Sequence, residues 1–508
     1  MKILSSNAIR TVDAKTIAYN NISSYQLMEM AASAFSDYFI NKYYIKNENS
    51  IALFCGVGNN GGDGVAIARI LRLVGFSVKV FIIEISSSYS NDCLLNIEEA
   101  KKDELDIAII ASVDEIPDLD TINIVVDAIF GTGLSRPLIG LAKDVIEEIN
   151  ALHKKVVSID IPSGLFMDRP TTTAIKATET VTFQIPKLAL YLPQNNQFVG
   201  HLSIVDIGLD SKAIDEAETD MYYLTDDRMA GLLKPLDKFT HKGIQGHALI
   251  IGGSLGKIGA VTLASKGALK SGCGLVTAYV PQCGMTVMQS AFPEAMVVQD
   301  NHHSHMSSIS YTIKPTAVAI GVGMGQHEQT KHALHEFLQT STTPLVIDAD
   351  ALNILSNNPD WWQYLQSNTI LTPHPGELSR LIGEWDNDFD KIERTRAFAR
   401  KYNLIVIIKG AHSLIINSDN LYLNSSGTPS LATAGSGDVL SGIIAGLLAQ
   451  GYKPLIAAQL GVYIHGMTAN ISSQDINPRS FIATNIIDNI GKVYDSMNIA
   501  KNRDDLVL

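Results

Sequence analysis

The sequence predicts an α/β fold in two domains, each built on a parallel sheet with helices on both faces. Two stretches, 51–185 and 247–410, alternate short apolar runs with segments of helical spacing. Continuous apolar runs of this length are typical of parallel strands that are buried on both sides. The chain has 508 residues, which is enough for two hydrophobic cores. We expect an N-terminal three-layer α/β/α domain over 1–215 and a second α/β domain over 224–508.

The elements follow in chain order. Helical spacing runs from Ser6 to Tyr44, and the polar, acidic stretch 210–226 reads as a linker or peripheral segment. A long helical region begins at Gly437. The expected strands of the first domain lie at 51–56, 78–84, 107–112, 122–130, 156–162 and 181–185, and those of the second at 247–253, 275–281, 317–323, 344–350, 369–375 and 403–410.

Composition limits the classes of partner. The net charge of −13 argues against nucleic acid or an anionic membrane as the main partner. The apolar stretch Val439–Ala449 is too short to cross a bilayer, and the first residues have no apolar core of signal-peptide length. Four cysteines form no C-x-x-C pair. We therefore expect free thiols and a cytoplasmic location.

A glycine-rich loop follows the first expected strand. Residues 55–64 read CGVGNNGGDG, and Gly56, Gly58 and Gly61 fit the G-x-G-x-x-G pattern of Rossmann-like dinucleotide sites. Glycines let a backbone come close to a ligand, and the first amides of the next helix then face an anion. A tight turn without a ligand is the alternative. The loop alone does not decide between a redox cofactor and a nucleotide substrate.

Polar residues end two later strands of the first domain. Asp127 ends one strand and precedes the turn at 131–133, while Asp160 and Ser163 follow the next strand. Ligands of open parallel sheets bind off the carboxyl ends of strands, so these residues are expected to meet in one crevice. Each aspartate alone is more often a cap or a turn former.

The motifs GNNGGDG, DAIFGTGLSRP and SIDIPSGL resemble the N-terminal domain of the YjeF family, an NAD(P)H-hydrate epimerase. The resemblance covers 7–210 and departs from the family at Val57 and after Lys187. It implies a K⁺ ion at Asn60, Asp127 and Ser163. Because epimerisation needs a carboxylate that moves a proton on and off the hydroxyl oxygen, we take Asp160 as the catalytic candidate. The resemblance also implies that the hydrated nucleotide contacts Asn59, Asn60, Gly61, Gly62, Asp63, Gly131, Thr132, Gly133, Leu134, Ser135, Arg136, Pro137 and Asp160.

The sharpest signal of the second half is ATAGSGDVLSGIIAGLLAQG at 432–451. Gly435 and Gly437 open a long apolar helix, with Asp438 in its first turn. Amides at a helix start can hold a phosphoryl group, and an aspartate beside them can take a proton from a hydroxyl. The alternative is a buried helix whose glycines serve packing. The acidic pair Asp348 and Asp350 could cap the next helix or touch a metal, and capping is the interpretation that we favour.

The G-x-G-D pattern resembles the ribokinase-like fold, in which this aspartate is the base for phosphoryl transfer. With HKGIQGHALIIGGS, VIDADALNIL, LTPHPGELSRL, VIIKGAHSLI and GVYIHG, residues 241–468 resemble the C-terminal YjeF domain, an ADP- or ATP-dependent NAD(P)H-hydrate dehydratase. His412 stands where the family has glycine. The resemblance implies a hydrate site at Ala260, Gly323, His374 and Asp438, and an adenine-nucleotide site at Lys409, Gly410, Ala411, His412, Ser413 and Gly437.

The combined expectation is a bifunctional repair enzyme with no nucleic-acid or membrane partner. One domain interconverts the two epimers of hydrated NAD(P)H. The other dehydrates one epimer: Asp438 activates the hydroxyl, ADP or ATP with Mg²⁺ phosphorylates it, and phosphate then leaves. The family resemblance also implies a homo-oligomer. Three alternatives are a small-molecule kinase with an accessory domain, an NAD-dependent oxidoreductase and a nucleotide sensor without turnover.

Overall fold

The computed structural model describes residues 1–45 and 49–504, and the chain divides into two compact units. The first comprises Met1–Thr219 with Asn387–Phe389, and the second comprises Asp220–Asp386 with Asp390–Leu508. Both units consist of parallel or largely parallel sheets with helices, so the α/β class predicted from the sequence is confirmed. None of the helices within the described ranges is long and apolar enough to span a membrane.

The first unit has seven strands and seven helices within the described residues. Its strands are β1 (Ser50–Cys55), β2 (Ser77–Ile83), β3 (Asp106–Ile110), β4 (Ile124–Ala128), β5 (Lys155–Ile159), β6 (Glu179–Phe183) and β7 (His201–Val205). Its helices are α1 (Ser6–Asn20), α2 (Ser24–Tyr43), α3 (Asn59–Leu73), α4 (Asn91–Lys102), α5 (Leu141–Ala151), α6 (Asn196–Val199) and α7 (Ser211–Glu216).

This sheet is entirely parallel, in the order β3-β2-β1-β4-β5-β6-β7. Both faces of β1 are buried: Ile51 and Leu53 pack in one apolar cluster, and Ala52 and Phe54 pack in the cluster on the opposite face. The chain reverses its direction of winding between β1 and β4. In such sheets a crevice opens at this point, off the carboxyl ends of the strands.

The predicted helical region Ser6–Tyr44 is two helices. Helix α1 ends at Asn21, whose φ of 51° is left-handed. Helix α2 then starts with a capping box in which the side chains of Ser23 and Gln26 bond each other's backbone N–H groups. Asparagine tolerates the left-handed region and serine is a good N-cap, so this local chemistry overrides the apolar periodicity.

The second unit forms a ten-stranded sheet within the described ranges. Its strands are β8 (Met221–Leu224), β9 (His247–Ile251), β10 (Leu275–Val280), β11 (Met296–Gln299), β12 (Ala317–Ile320), β13 (Leu345–Ile347), β14 (Ile370–Leu371), β15 (Ile405–Ile408), β16 (Leu414–Ile416) and β17 (Leu421–Asn424). The helices that follow β8 are α8 (Asp226–Gly231), α9 (Ile258–Lys270), α10 (Gln282–Ala291), α11 (Glu328–Thr340), α12 (Ala349–Ser356), α13 (Pro375–Ile382), α14 (Asp388–Tyr402), α15 (Ser436–Ala449), α16 (Pro454–Ser472) and α17 (Ala483–Asp504).

The strand order is β11-β10-β9-β12-β13-β14-β15-β16-β17-β8, and only the β15–β16 and β16–β17 pairs are antiparallel among the described strands. The stretch 210–226, interpreted as a linker or peripheral segment, contains the boundary between the two units and also regular structure that was not predicted. This segment contains α7 and the edge strand β8, which pairs in parallel with β17. Its strand-forming residues are only Met221–Leu224, and their partner lies far along the chain, so no local pattern indicates the pairing.

Helices α9 and α15 pack closely through glycine. A Cβ on Gly442 would lie 2.0 Å from the Ala264 carbonyl oxygen, and one on Gly446 would lie 2.4 Å from that of Ala268. The apolar side chains between them, such as Val261 and Ile443, are buried in the main core of this unit. The spacing of the two helices therefore depends on the absence of side chains.

Candidate functional sites

A cavity of about 670 Å³ opens at the carboxyl ends of β1, β4 and β5, at the predicted crevice. Helix α1, the α3 start and the turn after β4 supply most of its wall. Ten of the predicted hydrate-binding residues line it: Asn59, Asn60, Asp63, Gly131, Thr132, Gly133, Leu134, Ser135, Arg136 and Asp160. Gly61, Gly62 and Pro137 are not part of this lining.

Asp160 follows β5 with a left-handed φ of 64°. Its Oδ1 atom accepts hydrogen bonds from Lys187 Nζ at 2.5 Å, the Phe183 amide at 3.0 Å and Thr182 Oγ1 at 3.2 Å. Lys187 Nζ donates further to Thr182 Oγ1 at 2.9 Å and to the Phe183 carbonyl at 3.0 Å, and its side chain is 2% exposed. One oxygen of Asp160 is thus fixed, and Oδ2 is left for a ligand in the cavity.

Two further carboxyl groups line the cavity beside Asp160. Burial and the nearby Asp160 carboxylate raise the pKa of Asp13 to about 6, against an opposing effect of Lys187. Burial, reinforced by Asp160 and Asp13, raises the pKa of Asp63 well above its ordinary value. The cavity therefore contains carboxyl groups in different electrostatic environments, which is typical of acid–base sites.

Asp127 lies behind the cavity wall and is fully buried. Its carboxylate accepts hydrogen bonds from Ser163 Oγ at 2.5 Å, Ser158 Oγ at 2.7 Å and the Ser163 amide at 2.8 Å. Burial raises its pKa despite these donors, and it has no ion pair among the described residues. The Asn60 side chain lies against Gly131 of the turn after β4, and its buried Nδ2 atom has no hydrogen-bond partner among the described residues. Carboxylate, amide and hydroxyl oxygens are the types of ligand that a hard cation takes, and no described cationic side chain is paired with Asp127.

The glycines of the loop mainly serve close packing of the backbone. A Cβ on Gly61 would lie 1.8 Å from the Gly56 carbonyl oxygen, and one on Gly56 would lie 2.1 Å from that of Ile129. A Cβ on Gly58 would meet nothing within 4 Å. Gly58 is the N-cap of α3, and no side chain caps this helix. The first amides of α3 are therefore available to an anionic ligand group.

Sequence reasoning missed Asp13 and Lys187 as site residues. Asp13 is a single acid on an amphipathic helix, a pattern that ordinarily indicates a solvated face. Lys187 carried a weak signal, since a lone lysine in the apolar run IPKLALYL is costly to bury unless it is paired.

In the second unit, Asp438 lies in the first turn of α15. Its N-cap, Gly435, has a left-handed φ of 83° and no side chain caps the helix. Burial and the Asp348 carboxylate raise the pKa of Asp438 to about 7, with Lys409 opposing them. His465 Nε2 lies 3.1 Å from Ser436 Oγ beneath this turn, and burial lowers its pKa to about 4. The site thus combines open helix amides, a carboxyl group that titrates near neutrality and a neutral histidine.

Lys409 and Asp348 form a buried ion pair next to this turn. Lys409 Nζ lies 2.9 Å from Asp348 Oδ1 and 3.8 Å from Glu377 Oε2. Burial opposes the charge of Lys409, but the two carboxylates raise its pKa overall. Ser441 Oγ donates to Asp348 Oδ2 at 2.6 Å, which ties the pair to α15.

The capping prediction is confirmed for Asp348, whose Oδ1 atom accepts from the Ala349 amide at the start of α12. It is wrong for Asp350, whose Oδ2 atom instead accepts from the Gly325 amide at 2.9 Å.

Residues 409–413 form the hairpin turn that joins β15 to β16. His412 has a left-handed φ of 61° there. This conformation favours glycine, which explains why a glycine at the corresponding position is the easier choice. The Ser413 hydroxyl donates to the Gly410 carbonyl at 3.2 Å and closes the turn.

His374 is the N-cap of α13. Its Nδ1 atom accepts from the Gly376 amide at 3.0 Å, and Nε2 lies 3.5 Å from Glu377 Oε1. Elsewhere in the unit, a Cβ on Gly323 would lie 3.1 Å from that of Ala260. The structure therefore joins Ala260 with Gly323, and links His374 to Lys409 through Glu377.

Comparisons with known proteins agree with this division. Residues 24–189 match the family described as YjeF-related protein N-terminus, and residues 248–492 match the NAD(P)H-hydrate dehydratase family. The bifunctional NAD(P)H-hydrate repair enzyme of Moorella thermoacetica is 36% identical over 455 residues, 86% of each chain. That of Escherichia coli is 31% identical over 459 residues, covering 89% of this chain and 86% of the relative.

A solved structure of the ADP/ATP-dependent NAD(P)H-hydrate dehydratase from Bacillus subtilis, co-crystallised with ATP and Mg²⁺, is also similar. It is 26% identical with a TM-score of 0.48, and the alignment covers 55% of this chain and 100% of that one.

Two α/β units, each with carboxyl groups gathered at an open helix start, define a two-site enzyme of nucleotide chemistry. The matches over both units and along most of the chain place it more narrowly. The chain belongs to the family of bifunctional NAD(P)H-hydrate repair enzymes. It combines NAD(P)H-hydrate epimerase and dehydratase activities, and the alternative of a small-molecule kinase is not favoured.

Proposed function

We propose that the cavity of the first unit is the epimerase site and that the N-terminal turn of α15 is the dehydratase site. The observation that carries the first assignment is Asp160, which lines the cavity with one oxygen fixed by Lys187. The second assignment rests on Asp438, a half-buried carboxyl group beside uncapped helix amides.

In the epimerase site, the hydrate carries a hydroxyl on the ring carbon next to the ring nitrogen. The nitrogen lone pair expels this hydroxyl, and water returns on the other face of the ring. Asp160 Oδ2 is placed to move a proton at the hydroxyl oxygen. The first amides of α3 and the cavity wall around Gly131 and Thr132 hold the rest of the nucleotide.

A potassium ion fits behind this wall. Asp127, Ser163 and Asn60 would hold it, and its charge would compensate the buried Asp127 carboxylate, which the described residues leave without a cation. The ion would stabilise the turn that carries Gly131–Gly133. K⁺-dependent activity, lost in Asp127→Asn, tests this assignment.

In the dehydratase site, Asp438 removes the proton of the hydrate's hydroxyl. The oxygen attacks the terminal phosphoryl group of ADP or ATP, and the amides of Gly437 and Asp438 with Lys409 stabilise the developing charge. Phosphate then leaves as the nitrogen lone pair forms a C=N bond, and loss of a proton from the neighbouring ring carbon forms the C=C bond of NAD(P)H. Mg²⁺ bound to the nucleotide would neutralise part of the phosphate charge. The hairpin turn 409–413 holds the nucleotide, and Ala260, Gly323 and His374 line the hydrate side.

Recovery of reduced-nicotinamide absorbance from mixed-epimer NADH hydrate, with K⁺, Mg²⁺ and either nucleotide, tests both assignments. We expect full recovery for the native chain, a stall at the reactive epimer's fraction in Asp160→Asn and none in Asp438→Asn. Asp168→Asn and Asp475→Asn are matched controls, since their side chains are 80% and 71% exposed. No recovery with either nucleotide, or a stable phosphorylated product, would contradict the dehydratase assignment.

We also propose a homo-oligomer in a reducing compartment. The family resemblance supports the first, and the second is supported by the four cysteines, which are all free thiols. Sedimentation velocity and thiol titration of protein purified without reductant test these two points.

A further inference from the structure

We propose that Asp13 is a second catalytic group of the epimerase and that it exchanges a proton with the hydrate opposite Asp160. This inference rests on the proposed epimerase function of the cavity. Asp13 comes from helix α1 and Asp160 from the end of β5, so the two carboxyl groups reach the same cavity from different elements.

The position of Asp13 is unlike that of a structural acid. It lies in the middle of α1, so it is not a cap, and neighbouring Val12 is buried in the apolar core of this unit. No hydrogen bond or ion pair to its carboxyl group is found among the residues that the structure describes. A half-buried carboxyl group with no partner is costly, which favours a role toward a ligand.

Asp13 and Asp160 line the same cavity but differ in how their carboxyl groups are paired with charged neighbours. The cavity wall also carries Arg10 of the same helix, Asp63 of α3, Arg136 and Lys187. Lys187 makes its ion pair with Asp160, whereas Asp13 has no ion pair within 1–45 and 49–504. Burial and Asp160 raise the pKa of Asp13 to about 6, so its carboxyl group holds a proton in weak acid and exchanges it near neutrality. Two carboxyl groups with separated environments take acid and base roles.

Epimerisation needs one acid and one base, because its two half-steps take place on opposite faces of the ring. In the first, a carboxyl group donates its proton to the hydroxyl oxygen. The C–O bond breaks, water leaves with the bonding pair, and the nitrogen lone pair forms a C=N bond. In the second, water adds to the same carbon on the other face and the C=N pair returns to nitrogen.

The added water gives its proton to the other carboxylate, so protons and electrons balance over the cycle. The acid and base exchange roles when the opposite epimer is the substrate. A single carboxylate on one face serves only one half-step well, whereas Asp13 and Asp160 together serve both.

The test compares Asp13→Asn with Asp37→Asn, the same change at an exposed acid of α2. Epimer interconversion is followed by chromatography, with the spontaneous rate subtracted, between pH 5 and 8. We expect kcat/KM of the native chain to fall as pH rises through about 6, where Asp13 loses its proton. Asp13→Asn lowers kcat/KM at least about 100-fold and removes the fall of kcat/KM near pH 6. Asp13→Glu restores part of the rate and part of this pH dependence.

Dehydration of the reactive epimer is measured on the same samples, and it stays unchanged because Asp438 lies in the other unit. The unfolding midpoint of Asp13→Asn is expected to be no lower than that of the native chain at pH 7.5, since a half-buried charge is removed. The inference is overturned if kcat/KM for epimerisation by Asp13→Asn stays within threefold of the native value and still falls as pH rises through about 6. Absence of enzymatic epimerisation in the native chain instead overturns the proposed function itself.

Discussion

Replacement of Lys187 tests the ion pair that fixes Asp160 in the cavity of the first unit. In Lys187→Met the side chain keeps a similar length and loses its charge. Lys187 Nζ donates to Asp160 Oδ1, Thr182 Oγ1 and the Phe183 carbonyl, so all three ammonium protons are used. The substitution leaves the Asp160 carboxylate without a cation in a site where it is only 13% exposed.

The expected loss of stability is about 3 kcal/mol. Breaking a buried ion pair by removing one partner costs roughly 3–5 kcal/mol. The lower end applies here because Asp160 keeps the Phe183 amide and Thr182 hydroxyl as donors and reaches the cavity. The double variant Asp160→Asn with Lys187→Met recovers most of this loss, because no uncompensated charge remains.

Urea unfolding followed by two probes assigns the loss to the correct unit. All three tryptophans, Trp361, Trp362 and Trp385, lie in the second unit, whereas circular dichroism reports on both. We expect Lys187→Met to shift a transition in circular dichroism that tryptophan fluorescence does not show. A shift below about 1 kcal/mol, or a double variant no more stable than Lys187→Met, would refute the role of this ion pair.

Three further predictions address the loop and the second site. Gly61→Ala should destabilise the first unit by more than about 2 kcal/mol, because its Cβ would lie 1.8 Å from a carbonyl oxygen. Gly58→Ala should cost under about 1 kcal/mol, because a Cβ there would meet nothing within 4 Å. Thermal unfolding of the two variants measures the difference. Ser441→Ala should raise KM for the nucleotide more than it lowers kcat, because Asp348 loses a 2.6 Å donor that helps to hold Lys409. Asp438→Asn should stabilise the second unit increasingly as pH rises from about 4 to 7. The folded pKa of Asp438, about 7, exceeds its ordinary 3.8, so the native state binds the extra proton and loses stability across this window; urea titrations at several pH values measure the difference.

Much of the first cavity could be predicted because its residues stand at strand ends. Asp127, Asp160 and the glycine loop all follow apolar runs, and parallel strands bring their carboxyl ends to one edge. Asp13 could not be found in this way. It reaches the cavity because α1 packs near that edge, and this contact leaves no local pattern in the helix.

In the second unit, the features that the sequence does not predict are also contacts between distant segments. Local sequence patterns predict the apolar helix after Gly435 and the strand before Lys409. They do not predict the contacts of Asp348 with Lys409 and Ser441, because the three residues lie in separate segments. Strand β8 was missed because pairing with β17 is nonlocal. The break at Asn21, in contrast, had a sequence signal, since N-N-I-S-S combines a residue that tolerates left-handed geometry with a good helix cap.

The glycine contact between α9 and α15 makes the second activity vulnerable to substitutions far from its chemistry. A single methyl group at Gly442 or Gly446 would push α15 away from α9, and Asp438 stands at the start of that same helix. Such a variant would keep every proposed reacting group and still misplace Asp438, the proposed proton acceptor. Its chain would go on exchanging the two epimers while neither was removed, and a screen for altered active-site residues would overlook the cause.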